Sequence, residues 1–166
     1  MYMKRKYSTE DNTKNHGDKI DHDKKVYTQG NHIWFNDCIT SKSIFTLNKI
    51  IHEHNHHFEK KKNELSYLDI RPKDLYLHIN SSGGDLSESF GAIDVICNSK
   101  IPINTIIEGS AASAATLISI AGKKRFITKH SILLIHELSS RMWGKMSQLE
   151  DEHENNKFFM KKIKDL

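Results

Sequence analysis

The chain predicts an α/β domain built on a mainly parallel sheet. Two observations carry that expectation: short apolar runs of strand type alternate with longer segments of helical periodicity, and turns rich in glycine, serine or asparagine separate them. With 166 residues and 37% hydrophobic content, one domain with a moderate core is expected.

The elements follow in order. A strand is expected at 32–35, then a helix over about 41–58, anchored by Ile44, Leu47, Ile50 and Ile51 at helical spacing. A long polar connection over 59–73 leads to a strand at 75–79, where Leu75-Tyr76-Leu77-His78-Ile79 alternates in character. A helix over 85–98 carries the apolar stripe Leu86, Phe90 and Ile93, which continues to Cys97 and predicts a buried thiol there. A strand at 103–107 and a small-residue helix over 111–122 come next, followed by strands near 125–128 and 132–135. The chain closes with a segment over 138–144 and a charged helix over 147–164. Residues 1–30 hold seven Lys or Arg and five Asp or Glu but few large apolar side chains, so they are expected to be a mobile polar arm.

Chemistry concentrates in two places. Glu108-Gly109-Ser110-Ala111-Ala112-Ser113-Ala114-Ala115 sets a serine among residues too small to cover it, and His136 closes an apolar run 23 residues later. A serine hydroxyl must lose its proton to a base as it attacks a carbonyl, and the resulting oxyanion needs fixed donors. Ser113 and His136 could form that pair. Ser113 is expected in the first turn of the helix over 111–122, where backbone N–H groups are unpaired. The turn Asn80-Ser81-Ser82-Gly83-Gly84-Asp85 could supply a second donor, because its glycines let backbone approach a ligand.

These residues resemble, in order, three motifs of the Clp protease proteolytic subunit family, ClpP: Ile79-Asn80-Ser81-Ser82-Gly83-Gly84, 108–115, and Leu134-Ile135-His136-Glu137. The resemblance runs from about Asn31 to the end of the sequence. It implies a ClpP/crotonase-like fold of repeated β-β-α units, with a head domain over 31–137 and a handle strand and helix over 138–166. It implies a serine endopeptidase with Ser113 as nucleophile, His136 as general base, and the amides of Gly84 and Ala114 as oxyanion hole, Gly83 being the other candidate. Peptides or unfolded proteins would be cut in an oligomeric chamber of heptameric rings, interlocked through the handle with contacts from Met142, Trp143, Phe158, Phe159 and Ile163.

Three departures from the family pattern stand out. The family's triad aspartate normally lies farther beyond the histidine than this sequence extends, so the expected site is a Ser–His pair without its acid. Glu150, Asp151, Glu152 and Asp165 are not assigned that role. Loss of a triad acid typically lowers turnover on the order of 10⁴-fold. Ser82 stands where the family usually has proline, which predicts a looser turn. The resemblance implies an ATP-dependent unfoldase as partner, yet residues 1–30 do not resemble the entrance loops through which the family engages it.

Two alternative functions stay open: a non-catalytic ring or regulatory subunit, and a crotonase-type acyl-CoA enzyme, which would also polarise a carbonyl with two amides. His52-Glu53-His54-Asn55-His56 satisfies the H-E-x-x-H spacing of zinc peptidases, with His52 and His56 as ligands and Glu53 as base. The neighbouring histidines point around much of the helix, however, and no segment offering a third ligand follows. No metal and no cofactor are expected. A net charge of +4 comes from 25 basic residues interspersed with 21 acidic ones, with no basic face interleaved with aromatics, so no nucleic acid is expected. Lys60-Lys61-Lys62 reads as a solvated stretch. No run of 18 apolar residues and no leader follow from the sequence, and two cysteines make no disulfide framework, so no membrane partner and a cytoplasmic location are expected.

Overall fold

The computed structural model describes residues 25–136, 138 and 143–166. Most of the expected polar arm, Glu137, Met142 and most of the expected handle strand lie outside the described residues. Six strands form one sheet. In sequence they are β1 (Val26–Gln29), β2 (His32–Phe35), β3 (Leu75–Ser81), β4 (Ile103–Ala112), β5 (Arg125–Ile127) and β6 (Ile132–Leu134). Neighbours run β1-β2-β3-β4-β5, and β6 also pairs with β4, beyond β5 along the same strand. Only β1 against β2 is antiparallel; β2·β3, β3·β4, β4·β5 and β4·β6 are parallel, as alternating strands and helices require.

Helices α1 (Ser41–Glu64), α2 (Leu86–Cys97) and α3 (Ala114–Ile120) bury one face of this sheet. Ile44, Leu47, Ile50 and Ile51 of α1 pack with Ala92 and Ile96 of α2, Ala114, Ala115 and Ile118 of α3, and the sheet residues Ile33, Phe35, Leu75, Leu77, Ile79, Ile103 and Ile107. Burial at alternate strand positions leaves His32, Trp34, Tyr76, His78, Ile106 and Glu108 on the opposite face. At 0% exposure, Leu77 marks the centre of the packed face.

Four local outcomes differ from the sequence expectation. Val26–Gln29, expected in the polar arm, forms β1, because Val26 is buried in the core and Tyr27 stacks on Trp34 with ring centroids 5.1 Å apart. Helix α1 continues to Glu64, six residues past the expected end: no glycine or proline interrupts Glu59 to Glu64, and Lys and Glu are good helix formers even when solvated. Its start is fixed by a capping box, in which the Ser43 amide donates to Thr40 Oγ1 and the Thr40 amide to Ser43 Oγ. Cys97, expected buried, is exposed. Helix α2 turns Ser89, Ala92, Ile93 and Ile96 inward, and the next residue after Ile96 falls about 100° off that face. The fourth difference is at Ser113.

Helix α4 (Met146–Lys164) has no buried residue. Its Phe159 ring stacks on Phe90 of α2 with centroids 6.2 Å apart. Lys162 Nζ lies over both Phe90 and Phe158, 5.5 and 5.2 Å from the ring centroids. Trp143 and Phe158 remain exposed, while Phe159 and Ile163 are half-buried. No helix among the described residues is long and apolar enough to cross a membrane.

Candidate active site

Strand β4 is longer than expected and runs through Ala112, so Ser113 does not sit inside a helix but at the turn between β4 and α3. Its φ of 54° is the one positive value on a non-glycine residue among those described. Such a conformation is strained for a side chain with a Cβ, costing on the order of 1–3 kcal/mol, and it persists only where the surroundings enforce it. Here the enforcement is visible on both sides. The Ser113 amide donates to the Leu134 carbonyl at 2.9 Å, and the Ser113 carbonyl accepts from the Thr116 amide at 2.9 Å and from Thr116 Oγ1 at 2.6 Å. The chain thus passes from strand to helix in one sharp turn at Ser113.

The glycine turn packs directly beneath. A Cβ on Gly83 would come within 2.6 Å of the Ala112 carbonyl and 2.8 Å of Ser113 Cβ, so only glycine allows the two turns to touch. Gly84 also requires glycine, because a Cβ there would overlap the Ile39 carbonyl and its φ is 148°. Residues 83–85 are clamped to Ile39: the Ile39 amide donates to the Gly83 carbonyl at 2.8 Å and the Asp85 amide to the Ile39 carbonyl at 3.0 Å. The Gly83 amide is occupied by Ser81 Oγ at 3.2 Å. Among the described residues neither the Gly84 nor the Ala114 amide donates to an acceptor within the fold, which leaves both available to an anion. Ser82 stands within 3.4 Å of Cys38 Sγ through its hydroxyl.

His136 follows β6 by two residues and is exposed. Because the Ser113 amide bonds Leu134, the serine turn and the histidine segment are brought to the same end of the sheet. Asn80, quoted in the glycine motif but given no role from sequence, buttresses this end: its Oδ1 accepts from the Ser110 amide at 3.1 Å and fixes the last bend of β4. An asparagine just before a glycine turn was the available signal. The histidine-rich segment behaves differently. His52, Glu53 and His56 are exposed on α1 and line an open groove of about 550 Å³ with Phe45, Asn48 and Lys49. His54 turns the other way, to Thr28 Oγ1 at 3.0 Å, and burial holds its pKa below the ordinary imidazole value despite the opposing charge of Glu53. Among the described residues no group of three or more His, Cys, Asp or Glu converges to hold a metal ion.

Comparison with known proteins bears on the family and the fold. The Clp protease family model matches residues 30–166. The chain is similar to the ATP-dependent Clp protease proteolytic subunit of Porphyromonas gingivalis, 36% identical over 91 residues that make up 52% of this chain and 41% of that protein. It is similar to proteolytic subunit 2 of Treponema pallidum, 39% identical over 80 residues, 47% of this chain and 40% of the relative. The matched region thus spans about two fifths of the length of these relatives. Among solved structures, a ClpP1 mutant from Listeria monocytogenes superposes with a TM-score of 0.65 at 18% identity, covering 80% of this chain and 67% of its own, so the ClpP/crotonase-like fold is shared. With the family model matched over residues 30–166 and the fold in common, the chain belongs to the Clp protease family.

Proposed function

We propose that this chain carries the cleavage site of a ClpP-like serine endopeptidase acting on peptides or unfolded polypeptide. Ser113 attacks the scissile carbonyl, His136 takes its proton and later passes it to the leaving amine, and the amides of Gly84 and Ala114 hold the oxyanion. The observation that carries this reading is the positive-φ turn at Ser113, wedged against Gly83 and tied to Leu134. Gly84 is preferred to Gly83 as donor because the Gly83 amide is already occupied by Ser81.

Assembly into a closed chamber of identical subunits belongs to the same proposal. The exposed side chains of α4, Met146 and Phe158 among them, are those that a second copy would cover. The ATP dependence that the relatives' names print is assigned to a separate partner.

The test is fluorophosphonate labelling of the purified protein read by intact mass, with Ser113→Ala and His136→Ala alongside. One probe per chain in the parent and none in either variant is the expected result. No labelling of an intact, oligomeric chain would instead favour a non-catalytic ring subunit. Turnover of an acyl-CoA that survives Ser113→Ala would favour crotonase-type chemistry.

A further inference from the structure

The sheet face turned away from the helices carries a chain of three titratable side chains that the peptidase site does not use. Glu108 Oε1 lies 2.8 Å from His78 Nδ1, and His78 Nε2 lies 2.8 Å from His32 Nδ1. The two imidazole centroids are 5.1 Å apart, which with nitrogens at 2.8 Å puts both nitrogens on the line joining the rings. Each nitrogen therefore aims at the other. That geometry suits a shared proton and not a metal ion, which would need both lone pairs turned to a third point.

The protonation states follow from donor counting. An ionised carboxylate only accepts, so His78 Nδ1 carries hydrogen. When both rings are neutral, His32 donates from Nδ1 to His78 Nε2. When one proton is added, His78 becomes the cation between Glu108 and His32, and His32 accepts at Nδ1 after its hydrogen moves to Nε2. Both states keep the bond. When both rings are charged, two N–H groups face each other and the bond cannot exist.

What the bond holds is an aromatic stack. Trp34 lies over His78 at 5.0 Å and 12°, and His32 sits between Trp34 at 5.7 Å and Tyr76 at 5.2 Å, while Tyr27 covers the outer side of Trp34. His78 is 8% exposed beneath these rings. We propose that Glu108, His78 and His32 form a proton-operated latch, which keeps this stack closed while the histidine pair holds at most one extra proton and releases His32 when it holds two.

Other ionisable groups on this face are few and placed toward its ends. From β1 and its approach come Tyr27 and Lys25, the latter paired with Asp37 at 3.2 Å. Ahead of β3 comes Asp74, which accepts from Asn104 at 3.0 Å, and within β3 comes Tyr76. On β4, Ile106 lies across from His78 and Glu108 follows; leading into β5, Lys124 is tied by its amide to Asn104, and Phe126 lies across from Ile106. Glu108 is thus the carboxylate that bonds the pair. Each proton added to the pair changes which nitrogens can donate, so pH is the variable that sets the latch.

The test uses tryptophan fluorescence. Trp143 is fully exposed, and Trp143→Phe leaves Trp34 as the reporter, since the sequence has two tryptophans. Acrylamide quenching of Trp34 should rise as pH falls from about 8 to 5 while far-UV ellipticity stays constant. Adding His32→Gln should flatten the rise, because an amide can present either a donor or an acceptor to His78. Quenching that stays flat in the Trp143→Phe protein, that rises only together with loss of ellipticity, or that rises equally after His32→Gln, would overturn the latch. Should His32→Gln fail to fold, the quenching and ellipticity curves of the Trp143→Phe protein decide the matter alone.

Discussion

The amide of Ser113 donates to the carbonyl of Leu134 at 2.9 Å, so the turn bearing the proposed nucleophile is fastened to the strand that leads, two residues on, to the proposed base. Register in a sheet is set in steps of a whole residue, and a slip of β6 against β4 would turn alternate side chains to the wrong face. The pairings Ser110 with Ile132 and Ala112 with Leu134 therefore act as the alignment of the site.

Gly83→Ala should be damaging in two ways at once. The added methyl meets the Ala112 carbonyl and Ser113 Cβ, and φ of 93° is unfavourable for alanine. A stability loss of about 1–3 kcal/mol in urea unfolding is expected. Fluorophosphonate labelling should fall by about 10²-fold or more, because the displaced turn carries the Gly84 amide and losing one oxyanion donor has that scale.

Asp85→Ala removes the side chain that caps α2, where Asp85 Oδ1 accepts from the Glu88 amide at 3.0 Å. Thermal or urea unfolding should show about 1 kcal/mol lost. Labelling of Ser113 should change little, because the Asp85 backbone amide still bonds Ile39.

His54 gives stability a pH dependence of known sign. Burial lowers its folded-state pKa from the model-compound value of 6.5, so the unfolded chain binds the proton more readily. The associated stability is fully present above 6.5 and is lost as pH falls through the lower folded-state value. His54→Gln, which keeps a partner for Thr28, should flatten that part of the curve in urea titrations at a series of pH values. An unchanged slope in the variant would contradict the assignment.

Phe90→Ala and Phe159→Ala test whether α4 rests on α2. The ring pair should give a coupling of about 0.5–1.5 kcal/mol in a double-mutant cycle, measured on dilute protein so that self-association does not contribute.

Much of the fold was legible in the sequence because its signals are local. The spacing of Ile44, Leu47, Ile50 and Ile51 marks the buried face of α1, and the alternation from Leu75 to Ile79 marks β3. The stripe from Leu86 to Cys97 misled because four apolar positions define a face only to within a residue, and helix packing rotated it toward Ser89 and Ile96. The candidate residues between 108 and 136 could be named from their types, but their geometry could not. Alanine and serine between 109 and 115 favour a helix locally, whereas pairing with β3 and β6 draws residues through Ala112 into β4 and forces the turn at Ser113. The support from Asn80 and the clamp at Ile39 are contacts between residues 30 or more positions apart, which no local pattern encodes. The same is true of Glu108 with His78.

Strand β4 is bonded along both edges, by β3 on one side and by β5 and then β6 on the other. In native-state hydrogen exchange a strand so enclosed opens at or near the free energy of global unfolding. β6 is three residues long with every side chain exposed, and strands of that kind open by local fluctuation. The serine thus follows the strand expected to exchange slowest among the described residues, and the histidine follows one expected to exchange fast. Gentle warming would free the histidine segment first and, with the Leu134 carbonyl gone, remove one of the bonds that hold the serine turn.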